Sequence, residues 1–205
     1  MLHAQCAAFR GSRACTDADI KAREAGQTFD GLPDGLTRFR LIELVRDNRD
    51  WLGLNRAQAD LLVFLILHTW DQDWEPDQKP ITWVSVKAVA KELGVCRRQA
   101  RNVENGLNEA GVLTWIDSAN HGRRDWRDED GYIIEAYGAD LSPLGSMATE
   151  LIEADRRRKA EELEQERTWR IASALRRTIR AMLARAVKEG LIDTLVSVDW
   201  IRGDN

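Results

Sequence analysis

The stretch SVKAVAKELGVCRRQARNVENGLNEAGVL, residues 85–113, restricts the fold more than any other part of the chain. Val86, Val89, Ala90 and Leu93 recur at helical spacing behind Ser85, a residue suited to an N-cap. Gly94 follows where a helix would end in the left-handed conformation. A second helix is expected from about Arg97 to Ala110, with Ala100, Val103 and Leu107 inward and Gly111 as its stop. Two short amphipathic helices with so tight a join must pack across each other as a helix-turn-helix. The small Ala90 and Gly94 are expected at the crossing, and Val95 closes the core from the turn.

The flanks extend this unit. Ile81–Val84 reads as a short strand before it, and Val112–Ile116 and Tyr132–Ala136 as strands after it. Upstream, a helix is expected from Thr37 with Phe39, Ile42, Leu44 and Val45 on its apolar side. Another follows the N-cap Asn55. Its run Leu61–Leu67 is apolar nearly all round, which suits a central core helix. The order helix, helix, strand, helix, turn, helix, strand, loop, strand is that of a winged helix. The fold expected is therefore mostly α, with a small β wing, over residues 36–140.

The ends differ from this unit. Residues 1–35, closing in FDGLPDGLT, show no periodicity and are expected to form a flexible arm. Residues 141–205 are expected to be a long charged helical extension, with Pro143 in the first turn. The helical pattern runs to about Glu189, ~70 Å if unbroken. Its middle, Asp155–Glu166, has Leu163 as its one large apolar residue. Its ends carry Leu144, Met147, Leu151 and Ile152, then Ile171, Leu175, Ile179 and Leu183. A single solvated helix with apolar ends and two helices with a charged join both fit.

Net charge is −4 over 205 residues, which taken alone argues against a non-specific binder of nucleic acid. Along the chain the balance is uneven: −4 over 51–78, +4 over 79–127, −7 over 128–154 and +3 over 155–205. The positive block holds the second helix of the helix-turn-helix. Opposite its buried side stand Arg98, Arg101, Asn102 and Asn105, at i, i+3, i+4 and i+7. Arg and Asn make bidentate contacts to guanine and adenine edges in the major groove, which is wide enough for a helix. Arg97, at the helix start, suits a phosphate, and Gln99 suits either role or neither. The loop 117–131 is the candidate wing. There Arg123, Arg124 and Arg127, with Trp126 among them, are expected on the DNA backbone or in the minor groove.

Plainer roles compete. The helix face could be an ordinary solvated one, and the wing arginines could pair with Asp125, Asp128, Glu129 and Asp130. Trp70, Trp74 and Trp83 fit packing better than base stacking, and His68 fits a satisfied histidine on a core helix. Cys96 fits a small buried residue or weak cap. The RRRK run at 156–159, followed by EELEQE, fits a salt-bridged helix face.

Other classes find no support. There is no Gly-rich phosphate loop and no nucleophile–base set, so no enzyme is expected. Cys6, Cys15 and Cys96 form no CxxC, and His3, His68 and His121 are scattered, so neither metal nor cofactor is expected and a reducing cytoplasm is the simplest setting. No apolar run approaches the roughly 18 residues of a membrane span, so no membrane partner is expected.

Four segments together resemble the N-terminal winged-helix region of the plasmid replication protein C (RepC) family, the initiators of repABC plasmids. They are FDGLPDGLTRFRLIELV, ITWVSVKAVAKELGV, NEAGVLTWIDSANHGRRD and, most distinctive, DEDGYIIEAYGADLSPLGSMATEL. The resemblance covers roughly residues 29–190. It implies binding to double-stranded DNA of a plasmid origin, with host helicase and polymerase supplied by other proteins. Glu104 and Asn105 depart from the apolar or basic residues expected there. Members carry a further C-terminal domain, for which 205 residues leave no room. Two alternatives use the same helices: a MarR-like transcriptional regulator, and a protein-interaction winged helix docking a partner through the acidic 128–154 segment. The apolar patches at 37–48 and 142–190 suit either packing within one chain or a homodimer on a two-fold site.

Overall fold

The structure is a computed structural model, described here for residues 16–118 and 122–190. His3, Cys6, Cys15 and His121 lie outside the described residues. The chain is mostly helical, with a small antiparallel sheet and a long C-terminal helix, as its patterning implies.

The first element corrects the expectation of an arm without structure. Residues Asp17–Gln27 form a helix, α1, capped by the Thr16 side chain, which accepts from the Asp19 N–H. Large apolar residues do not hold it, which is why periodicity missed it. Ala22 and Gly26 are buried, and Asp19 Oδ1 accepts from Asn108 Nδ2 and Thr114 Oγ1, each at 3.2 Å.

α2 (Arg38–Asp47) starts behind the N-cap Thr37, and α3 (Arg56–Leu67) behind Asn55. Asn55 accepts from the Gln58 N–H while Gln58 accepts from the Asn55 N–H, a reciprocal capping box. α2 buries Leu41, Ile42, Leu44 and Val45, and α3 buries Leu61, Leu62, Leu65 and Ile66 at the centre of the core. Phe39, expected inward, is 57% exposed, with the Arg38 guanidinium over its ring at 4.8 Å. Arg38 in turn bonds the carbonyls of Ile66, Leu67 and Thr69 and pairs with Asp71, neutralising the negative end of α3.

A short 3-10 helix at Asp71–Trp74 leads to β1 (Ile81–Thr82), shorter than the strand expected. α4 (Val86–Glu92) is capped by Ser85, and α5 (Arg97–Glu109) ends before Gly111. Gly94 has φ +64° and open space where a side chain would stand. Its role is the left-handed turn between the helices, not the close crossing the sequence suggested. Val95 is partly buried against the core, as expected.

β2 (Thr114–Ile116), β3 (Arg124–Arg127) and β4 (Ile133–Asp140) complete the sheet, in which β1, β2 and β3 each pair antiparallel with β4. β2 pairs Ile116 with Gly138, and β3 takes up the register at once with Arg124 opposite Tyr137. The segment 117–131, expected as a wing loop, thus contains a strand of four residues. Its hairpin turn lies at the acidic residues 128–132.

The EAYGADLSPLG segment is a packing junction. A Cβ on Gly138 would fall on the carbonyl oxygen of Thr82, where β1 passes β4. Asp140 Oδ1 accepts from the Ser142 N–H at 2.8 Å and the Ser142 hydroxyl at 2.5 Å, opening α6 (Ser142–Ser146). Burial pushes the Asp140 carboxyl above its ordinary value, against the opposing pull of the Ser142 bonds and Lys79. A raised folded pKa means stability is greatest with the proton on and is lost as pH rises through that value. Asp140→Asn keeps the accepting oxygen and removes the charge. The variant is expected to match the natural protein near pH 4 and to gain on it toward pH 7, measured by urea unfolding at each pH.

α7 (Ala148–Lys188) is a single helix of 41 residues, ~60 Å long. The break from α6 falls at Met147, not in the charged middle. The chain divides into two compact units after Asp155. In the first, Ala148, Leu151 and Ala154 are buried, and Asp155 accepts from Asn48 Nδ2 and pairs with Arg40. The 141–205 segment expected as one extension therefore contributes its first fifteen residues to the first unit.

Candidate nucleic-acid interface

α5 presents the residues expected of it. Arg97, Arg98, Gln99, Arg101, Asn102 and Asn105 are all exposed, while Ala100 and Leu107 are fully buried behind them. Arg97, Arg98 and Arg101 have no ion-pair partner among the described residues. Gln99 is partly spoken for, since its Oε1 accepts the Cys96 N–H at 3.3 Å and caps α5. Cys96 itself is exposed rather than buried.

Glu104 explains its own oddity. It lies between Ala100 and Leu107 on the inward side and is 1% exposed. Arg123 donates to both of its oxygens, at 2.8 and 3.0 Å. The same guanidinium donates to the Val84 carbonyl and lies over the Trp115 ring at 4.9 Å. Arg123 is therefore a brace joining the base of the hairpin to α5, its guanidinium engaged inside the first unit where the sequence suggested a contact with DNA. A buried carboxylate is tolerated only with such a partner.

Arg127, also expected at DNA, is engaged internally in the same way. It grips Asp73, 1% exposed, with bonds of 2.7 and 2.9 Å, and adds Asp125 at 3.0 Å and the Gly131 carbonyl at 2.7 Å. Trp70 and Trp83 flank it, with centroids at 4.3 and 5.2 Å. Burial opposes its charge, but Asp73 and then Asp125 outweigh that and hold its pKa above the ordinary value.

Strand alternation leaves the other face of the hairpin outward. Arg124 is exposed beside Tyr137, and Trp126 is 64% exposed. Of the three wing arginines, Arg124 alone remains available to an external anion among the described residues. Asp128 accepts the Tyr132 N–H, so one tip acid is also engaged.

The remaining residues fall mostly as expected. The Trp74 indole N–H donates to Thr69 Oγ1 in the core, and His68 Nδ1 lies 2.7 Å from the Phe64 carbonyl oxygen, although His68 is exposed at the end of α3. Arg158 pairs with Glu162 on α7. The buried acids Glu104 and Asp73 were missed as determinants of the site. The sequence carries a signal for Glu104, a carboxylate at an inward helical position with arginines downstream. Among the described residues, no group of three or more His, Cys, Asp or Glu side chains could hold a metal, and no helix is long and apolar enough to cross a membrane.

The family model for the replication protein C N-terminal domain matches residues 13–187. A curated relative from Sinorhizobium fredii (strain NBRC 101917 / NGR234), named as a replication protein C, is 35% identical over 98 residues. That match covers 48% of this chain and 24% of the relative, so the chain spans about a quarter of the length of the curated relative it matches. No solved structure matches.

Proposed function

The chain belongs to the replication protein C family through its N-terminal domain, and on that premise we propose that it is a winged-helix DNA-binding unit acting at a plasmid origin. α5 enters the major groove as the recognition helix. Arg98, Arg101, Asn102 and Asn105 meet base edges, and Arg97 meets phosphate at the helix N-terminus. Arg124 and Trp126 on the hairpin meet the adjacent backbone or minor groove. Host proteins supply helicase and polymerase, and the chain performs no chemistry itself. The carrying observation is the exposed Arg/Asn face of α5, where Arg98 and Arg101 have no ion-pair partner among the described residues; Glu104 is turned inward and neutralised by Arg123, and Glu109 is the exposed acid of α5, at its last residue.

The test is footprinting on DNA within and around the chain's own gene at moderate salt. A discrete protected site is expected. Arg98→Ala and Arg101→Ala are each expected to cost about 1–3 kcal/mol at that site and to leave random DNA nearly unaffected. The absence of any protected site would overturn the reading. The acidic blocks at 51–78 and 128–154 predict that random DNA is bound weakly and with strong salt dependence.

A further inference from the structure

We propose that residues 167–188, the C-terminal half of α7, carry a second DNA-contact surface that holds phosphates without reading sequence. This rests on the DNA-binding reading above and adds a separate site to it. The segment contains seven basic residues (Arg167, Arg170, Arg176, Arg177, Arg180, Arg185 and Lys188) and no acid. The preceding residues 155–166 differ sharply, with four basic and five acidic groups. There the charges interleave, as on an ordinary solvated helix, and Arg158 pairs with Glu162.

In 167–188 the charges sort by face. Ile171, Leu175, Ile179 and Met182 form one stripe at spacings of four, four and three. The basic residues occupy the remaining arc, and the segment is ~32 Å long. Arg176 and Arg177 stand four and three residues before Arg180, spacings at which like charges repel. Arg167, Arg170 and Arg185 are partly offset by Glu164, Glu166 and Glu189. Arg176 and Arg177, at the centre, are exposed and have no ion-pair partner among the described residues. A polyanion lying along the helix offsets the charge of Arg176 and Arg177 and stabilises it. Duplex DNA offers one phosphate per ~1.7 Å of axis, enough to meet every cation of the arc.

A basic amphipathic helix also suits an anionic membrane surface. The position of Trp169 argues for DNA. It lies seven and eleven residues before Arg176 and Arg180, on the basic arc, whereas an interfacial helix places its aromatic anchor within the apolar stripe.

The experiment uses the full chain, a random-sequence duplex, a duplex containing the footprinted site, and phosphatidylserine vesicles. Arg176→Gln with Arg177→Gln is expected to weaken both duplexes roughly tenfold and to lower the log–log salt slope by about two. The footprint boundaries stay where they are, and Arg176→Lys with Arg177→Lys restores the slope. Circular dichroism reports whether the helix persists in each variant. An unchanged slope in the glutamine variant overturns the proposal while leaving the α5 reading intact, and vesicle binding lost by that variant with unchanged DNA affinity assigns the surface to lipid. Absence of salt-dependent DNA binding by the natural chain overturns both readings together.

Discussion

Arg123→Ala is expected to lower the stability of the first unit by about 3–5 kcal/mol. The Glu104 carboxylate is buried between Ala100 and Leu107, and Arg123 is its bidentate partner. Removing the cation leaves an uncompensated charge in the core. Urea unfolding of the single variant checks the size of the loss. The double variant Glu104→Leu with Arg123→Met removes both charges and is expected to recover most of the loss, because well-packed apolar residues replace buried ion pairs at little cost. A surface role for Arg123 predicts instead a change under 0.5 kcal/mol in the single variant. The DNA consequence follows from the mechanics. Arg123 ties the hairpin base to α5, so the double variant is expected to fold well yet hold the hairpin less firmly.

Arg127→Ala is the second large effect, again about 3–5 kcal/mol. Here the orphaned group is Asp73, and the loss also removes a cation from between Trp70 and Trp83. Arg127 further donates to the Gly131 carbonyl at the hairpin tip, so backbone order at 124–137 depends on it. Hydrogen exchange is expected to show faster opening of those amides than of α3, which lies outside the contact. Arg124→Ala is the control. It stands on the outward face three residues before Arg127, and is expected to leave stability within 0.5 kcal/mol while weakening DNA binding. Equal stability losses at Arg124 and Arg127 would mean the assignment of inward and outward faces is wrong.

Much of the architecture was legible because it rests on local rules. The caps Thr37, Asn55 and Ser85, the stops Gly94 and Gly111, and the apolar run of α3 each act over one or two helical turns, and each element appeared close to where those signals put it. α1 was not legible. It has no large apolar stripe, and what orders it is a buried carboxylate meeting Asn108 and Thr114, residues about ninety positions away. The EAYGADLSPLG segment was legible as a family signature, but its use was not. Gly138 is excluded from carrying a side chain by the backbone of Thr82, and Asp140 accepts two hydrogen bonds from Ser142 at the start of α6, so its distinctive residues serve packing.

The three wing arginines mark the boundary most clearly. In the sequence Arg123, Arg124 and Arg127 are equivalent, since each is a cation in a polar stretch beside acids. By itself the sequence determined the order of the helices from α2 to α5, the cationic outer face of α5 and the charge sorting of 167–188, all of which follow from helical period and composition. The tertiary structure alone decided which wing arginines are spent internally. That choice depends on the pairing register of β3 with β4 and on where Glu104 and Asp73 are buried, and both are set by contacts between residues far apart in the chain.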